Sequence, residues 1–465
     1  MFGKKIKTLV LLLTVLAVLA AAVACGAEQP SPSGSQPEAG SSEIENPSQP
    51  GGESGPSEES GKPGTVSFKE SDLRYLSAAT FHSTRTKTDP GNAFRTGYAD
   101  LAVRLLKQCA VHDGSDASAL VSPLSILTAL QMVANGAKGE TLEEMQAVLC
   151  GMDAEDLNQS LFSYYEGLHN TDDAKLEAAN AIWLTSREDF HVDSDFIKLM
   201  DNTFRATLAV GPFTDPKTVD AINQWCSDHT DEMIKKVLKY PDVSYETAMV
   251  LLNALCFNAL WEKQYEEYEC YDAPFYGQSG TTTVNMMYSL ETGSIKGEYE
   301  TGFYKPYKGG KYAFVGLLPN QGISVSEYLE TLTGERLLKL LETRSGKVHA
   351  GLPEFTFDWS DSLVDAMKAL GMKTVFTGKS DLSGLGFFDS GNPLYVDKII
   401  HKTHIEVDPS GTRAAAVTAV VMDEATAVDP IDPNQVILDR PFVYAIIDTE
   451  HSLPVFIGCM TDIAG

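Results

Sequence analysis

The sequence predicts an α+β fold, and three observations carry that expectation. Apolar residues recur at helical spacing early in the chain, continuous strand-like runs dominate late, and no regular strand–helix–strand alternation links them. At 465 residues, 43% of them hydrophobic, the chain is long enough for a large core. A formal charge of −28 argues against nucleic-acid binding and against electrostatic adhesion to anionic membranes. It favours cationic partners.

Lys4, Lys5 and Lys7 precede an apolar run from Leu9 to Ala24, the layout of a secretory signal peptide over residues 1–24. The run ends in Ala22-Val23-Ala24-Cys25-Gly26. Small residues before a cysteine resemble a bacterial lipobox, with Cys25 as the lipidated residue. Residues 26 to about 63 are rich in Ser, Gly, Pro and Glu, a composition that cannot bury enough apolar surface to order itself. Such a tether of about 38 residues reaches roughly 35 Å as a coil. The reading is a lipidated Cys25 and disordered tether over 25–91, then a folded domain over 92–465.

Within that domain, Phe94, Tyr98, Leu101 and Leu105 predict a helix over Ala93–Gln108. Ser122-Pro123 opens a second helix, running through Leu130 and Met132 to Gly136. Met249–Leu255 is nearly all apolar, as in a strand buried on both faces. Lys347–Phe357 and Leu394–Val407 read as strands, and Leu363, Met367 and Leu370 as a helix ended by Gly371. The seven cysteines show no paired short spacing, so neither a zinc site nor a redox motif is expected. Cys256 and Cys459 lie in apolar runs and read as core thiols. Neither a GxSxG elbow nor an HExxH motif accompanies His401, so a catalytic role is not expected and the chain does not read as an enzyme.

The most informative stretch is Asp408-Pro409-Ser410-Gly411-Thr412-Arg413-Ala414-Ala415-Ala416-Val417-Thr418-Ala419, small residues between two strand-like runs, Thr403–Val407 and Pro441–Ile447. Small side chains suit a loop that slides into a sheet as a strand. Strand side chains alternate, so Thr412, Ala414, Ala416 and Thr418 share one face and Arg413, Ala415 and Val417 the other.

In order along residues 92–465, several motifs resemble the serpins. They are Ser122-Pro123-Leu124-Ser125-Ile126, Asn180-Ala181-Ile182-Trp183, Leu252-Asn253-Ala254 through Trp261, Leu352-Pro353-Glu354-Phe355, His401 through Gly411, and Asp439-Arg440-Pro441-Phe442 with Pro454-Val455-Phe456-Ile457-Gly458. The resemblance implies a serpin fold, with helices on a large, mainly antiparallel sheet A, smaller sheets and an exposed reactive-centre loop over about 409–438. It implies a polar shutter of Ser122, Ser125, Asn180, Asn253 and His401, a breach tryptophan at Trp261, and a hinge of Gly411, Thr412, Ala414, Ala415 and Ala416. Family spacing from Gly411 places the reactive bond at Ala425–Thr426, with slippage allowed between Met422 and Val428. A small residue there suits the shallow pocket of elastase-like or subtilisin-like serine proteases. The implied partner is therefore such a protease in a covalent complex, with no cofactor, no metal and no nucleic acid, and the membrane is reached through lipid on Cys25. The implied protein is a monomer, extracytoplasmic or secreted. Pro409 departs from the Glu that inhibitory members usually carry. Lacking an N–H, it is expected either to sit harmlessly at the strand end or to slow insertion. Two alternatives stay open: a non-inhibitory serpin-fold carrier, and a lipid-anchored solute-binding protein.

Overall fold

Ser122 starts the central helix as a cap: its Oγ accepts from the Ser125 N–H, and Pro123 fills the first helical position, where a missing N–H costs nothing. This helix, α2 (Pro123–Ala134), follows α1 (Asn92–Cys109), whose Phe94, Tyr98, Leu101 and Leu105 are buried as their spacing predicts. α2 ends two residues before the expected Gly136. In the computed structural model, the described residues are 64–69, 73–76, 85–112, 114–168, 171, 173–230, 232, 234–240, 242–412 and 434–464, all within the unit Glu58–Gly465. Cys25, Ala414, Ala415, Ala416, Ala425 and Thr426 lie outside them.

The large sheet contains β1 (Arg74–Tyr75), β2 (Ala174–Thr185), β3 (Ala206–Gly211), β4 (Met249–Leu260), β5 (Phe355–Ser362), β6 (Ile400–Val407) and β7 (Gly411–Thr412). Their spatial order is β5-β6-β7-β4-β2-β3-β1. Every pairing is antiparallel except β2 with β3. β4 explains its own apolar run. Leu255, Phe257 and Ala259 enter the main core, while Leu252, on the other face, joins a second cluster with Trp183, Phe213, Ile222 and Trp225. α2 packs under β4 on the main-core side.

Behind this sheet lies a six-stranded sheet built around Tyr312–Pro319, Phe442–Asp448 and Leu453–Met460, all fully buried strands. A four-stranded sheet runs Cys270–Gly277, Gly280–Glu291, Val348–Pro353, Gln435–Ile437, its last pair parallel. A three-stranded sheet joins Thr65–Val66, Phe190–Asp193 and Gly386–Phe388. The helix Val364–Leu370 ends at Gly371, whose φ of 114° suits glycine.

Three sequence expectations need correction. Lys347–Phe357 is not one strand but two in different sheets, parting at Glu354: Pro353 closes the first, and the Glu354 N–H turns to Asn285 O. Leu394–Val407 is a strand only from Ile400, because backbone bonds at Val396 and Ile399 go to Val375 and Leu363 rather than to a ladder. Ordered structure also begins before Asn92: Thr65–Val66 and Arg74–Tyr75 pair with strands of the domain, and Phe68 is buried. These apolar residues interrupt the tether's composition and give the chain something to bury.

Candidate functional site

β6 climbs to Val407, and the chain then reverses over Asp408-Pro409-Ser410-Gly411. The Asp408 N–H donates to Gly411 O (3.0 Å), and Asp408 Oδ1 accepts from the N–H groups of Ser410 (2.6 Å) and Gly411 (3.0 Å). Aspartate first, proline second and glycine fourth is favoured β-turn chemistry. Pro409 thus stands where its missing N–H is not needed, and its carbonyl accepts from the Tyr265 N–H at 3.0 Å. The turn is gripped elsewhere too. Trp261 Nε1 donates to Asp408 O, and the Trp261 N–H to Ser410 O, each at 2.9 Å.

The turn delivers β7 downward between β6 and β4. Thr412 faces Val407 on one side and Ala259 on the other, and Gly411 faces Leu260. A Cβ on Gly411 would lie 2.1 Å from Ala259 O, so this position tolerates only glycine. Thr412 points inward as the alternation requires, 2% exposed, its Oγ1 2.5 Å from Tyr307 Oη. Tyr307 stacks on Trp261 with centroids 4.5 Å apart. Beneath Thr412, a void of about 10 Å³ is lined by Phe257, Ile405, Ile446 and Phe456.

Below Thr412, β4 and β6 share no ladder among the described residues. β4 pairs with β2 and β7, and β6 with β5 and β7. Between their lower halves lies a cavity of about 380 Å³. Its floor is α2 at Ser125, Ile126 and Leu130, and its walls include Met249–Asn253, His401 and the irregular Leu394–Ile399.

Polar groups at and beside this opening form a connected series. His401 Nε2 accepts the Ser122 N–H at 3.0 Å, which places the imidazole proton on Nδ1. Burial drives the His401 pKa down to about 4, so the ring is neutral at physiological pH. Ser122 Oγ accepts the Ser125 N–H (3.3 Å), and Ser125 Oγ donates to Asn253 O (3.5 Å). Asn253 Nδ2 donates to Asn180 Oδ1 (2.7 Å), and Asn180 Nδ2 to Phe204 O (2.7 Å). Asn253 Oδ1 is buried without a partner among the described residues.

A family signature described as "Serpin (serine protease inhibitor)" matches residues 96–463. This chain belongs to the serpin family. Serpins are in general inhibitors of proteases. A solved structure titled "Crystal Structure of a Thermophilic Serpin, Tengpin, in the Native State" is similar at 37% identity and TM-score 0.73, covering 81% of this chain and 96% of that one. Iris of Ixodes ricinus is 31% identical over 74% of this chain and 91% of its own. Leukocyte elastase inhibitor A of Mus musculus is 30% identical over 72% of this chain and 91% of its own.

The serpin's five sequence-derived shutter residues therefore lie in one hydrogen-bonded series, and Gly411, Thr412 and Trp261 meet at the head of the sheet. Sequence reasoning missed the groups that complete both sites. Tyr165 Oη meets Thr128 Oγ1 (2.8 Å) and accepts from Asn253 Nδ2 (3.4 Å), while Thr403 Oγ1 donates to Leu120 O (2.8 Å). Burial pushes the Tyr165 hydroxyl up to about 12, so it stays a neutral donor. Trp359 sets its ring edge-on to His401 at 6.0 Å. At the head, Tyr307 and Tyr265 were not anticipated. Each lies in an apolar or charged run that gives no signal beyond core packing. No group of His, Cys, Asp or Glu poised to hold a metal occurs among the described residues. No helix there is long and apolar enough to cross a membrane.

Proposed function

We propose that this serpin is a suicide-substrate inhibitor of elastase-like or subtilisin-like serine proteases. The observation that carries the reading is Gly411–Thr412 lying as a short strand between β4 and β6, above a sheet whose lower half has no ladder across that gap among the described residues. The hinge has already made its first pairings, and the void and cavity beneath it continue along the path a descending strand would take. The small residues Ala414, Ala415 and Ala416 would follow Thr412 without obstruction.

On this reading the protease attacks Ala425–Thr426 as a substrate bond. Its serine forms an acyl-enzyme on the Ala425 carbonyl and releases the new amine at Thr426. The freed segment then enters the gap by strand addition and carries the protease with it before water completes hydrolysis. Filling the gap over about a dozen residues forms roughly twenty backbone hydrogen bonds, on the order of 1 kcal/mol net each. The serpin is consumed once and is not itself an enzyme. The small residue at Ala425 and the acidic flanks Asp423 and Glu424 support a shallow-pocketed, cationic target. The similarity to leukocyte elastase inhibitor A points the same way. Lipid on Cys25, an acidic tether, an extracytoplasmic location and a monomeric state complete the proposal and rest on the sequence alone.

The test mixes residues 26–465 with an elastase and, separately, with subtilisin, followed by denaturing electrophoresis and mass spectrometry. An adduct that survives denaturation, with a released C-terminal fragment beginning at Thr426, supports the inhibitor, its protease class and its bait bond. Cleavage by both enzymes without adduct overturns inhibition.

A further inference from the structure

Lys305, on the strand Glu300–Pro306, is 1% exposed, and Glu291, ending the strand Gly280–Glu291, is 8% exposed. Lys305 Nζ lies 2.9 Å from Glu291 Oε1 and donates to Lys263 O at 3.2 Å. Its remaining side faces two rings, Tyr265 at 4.1 Å and Trp261 at 5.3 Å from the centroids. Glu291 Oε1 also accepts from Ser289 Oγ at 2.6 Å. A buried ion pair of this kind rarely adds stability over an apolar pair of equal volume, because removing both charges from water offsets their attraction. Burial pulls the Lys305 ammonium below its ordinary range, against the pull of Glu291. Its role is better sought in what it orients.

What it orients is the grip on the hinge turn. The Trp261 ring donates through Nε1 to Asp408 O, the backbone N–H groups of Trp261 and Tyr265 donate to Ser410 O and Pro409 O, the Tyr265 ring sets edge-on against Trp261, and Tyr307, stacked on Trp261, meets Thr412. We propose that the Lys305–Glu291 pair is a positioning device that fixes the Trp261 and Tyr265 rings and so holds Gly411–Thr412 docked at the head of the sheet, setting how quickly the loop enters it. Lys305 touches no substrate; it acts through the rings. The proposal rests on the inhibitory reading for its kinetic consequence, but not for the grip itself.

The test compares the full mature chain with two variants. The double variant Lys305→Met with Glu291→Gln removes both charges at similar volume, and Lys305→Arg keeps the cation over the rings. Hydrogen exchange of the peptide spanning residues 408–412 reads the grip without any protease. Losing the cation–π contacts predicts exchange there about tenfold faster in the double variant. The melting temperature stays within a few degrees, and Lys305→Arg exchanges as the parent does. With the target protease, the double variant needs at least about threefold more inhibitor per protease trapped, since slower docking lets deacylation win. Unchanged exchange at 408–412 overturns the proposal. Exchange that rises equally across the strand Gly280–Glu291, with a lowered melting temperature, also overturns it in favour of a merely structural pair. If the parent chain traps no protease, the inhibitory reading falls, and the exchange result alone decides the grip.

Discussion

His401 makes the polar series beside α2 sensitive to acid, and the size of the effect follows from its surroundings. The imidazole is buried, and its Nε2 accepts the Ser122 N–H. Protonation would put a hydrogen on the atom that accepts, and a charge where no carboxylate is hydrogen-bonded to the ring. Burial therefore lowers the pKa from 6.5 to about 4. The folded-state pKa lies below the unfolded one, so this contribution is fully present above pH 6.5 and is lost as pH falls towards 4. The whole interval is worth about 3 kcal/mol, and the step from pH 7 to pH 5 about 2 kcal/mol. His401→Gln is the informative variant, because Gln offers an oxygen to the same N–H and does not titrate. Urea midpoints at pH 7 and pH 5 should show the parent losing about 2 kcal/mol more than the variant. Other groups, including His451, whose pKa Asp448 raises, cancel in that difference. Equal losses in parent and variant would refute the argument, since His401 would then be titrating with its ordinary value or already charged when folded.

Three further predictions follow from the same geometry. Thr412→Arg forces a long cation into the space against Tyr307 and the void of about 10 Å³, so a stable protease adduct should be lost while loop cleavage continues, read on a denaturing gel. Gly411→Ala drives a methyl into Ala259 O and should undock the hinge, seen as faster hydrogen exchange at residues 411–412, with loss of folded stability small because only two residues leave the sheet. Tyr165→Phe removes the hydroxyl shared by Thr128 and Asn253 and should lower stability by about 1–3 kcal/mol in urea denaturation, with an unchanged far-ultraviolet spectrum.

The fold was legible where sequence carried local chemistry. Ser122-Pro123 announced α2 through its cap, and Gly371 announced the end of its helix through a left-handed φ. The shutter residues were legible only as an ordered set, since a lone Asn253 or His401 reads as an ordinary buried polar group. What the sequence hid was set by distant partners. Leu394–Ile399 is as apolar as a strand, yet its backbone bonds are claimed by Val375 and Leu363. Pro409 read either as harmless at the strand end or as slowing insertion, and the turn places it second in four residues, where proline is favoured. Tyr165, Tyr265, Tyr307 and Lys305 gave no local sign, because their work depends on strands and helices far away in the chain.

The direction of loop movement can also be argued from what the present arrangement leaves unfinished. Between β4 and β6 the described residues form no ladder below Thr412. The cavity of about 380 Å³ forgoes packing contacts that a filled interior would have. Asn253 Oδ1 stands buried without a donor among the described residues, a deficit on the order of 1–3 kcal/mol. A strand entering from Thr412 would meet all three in sequence: it supplies N–H and C=O groups to both edges, side chains to the cavity, and a rearranged neighbourhood to the shutter. A strand leaving would relieve none of them. On the proposed inhibitory reading the docked hinge has a downhill path in one direction, and the polar series from His401 to Asn180 lies along the lower part of that path. An inhibitor of the proposed kind needs that bias to be large but delayed, and the hydrogen bonds of the series from His401 to Asn180 are the contacts in this structure that can supply the delay.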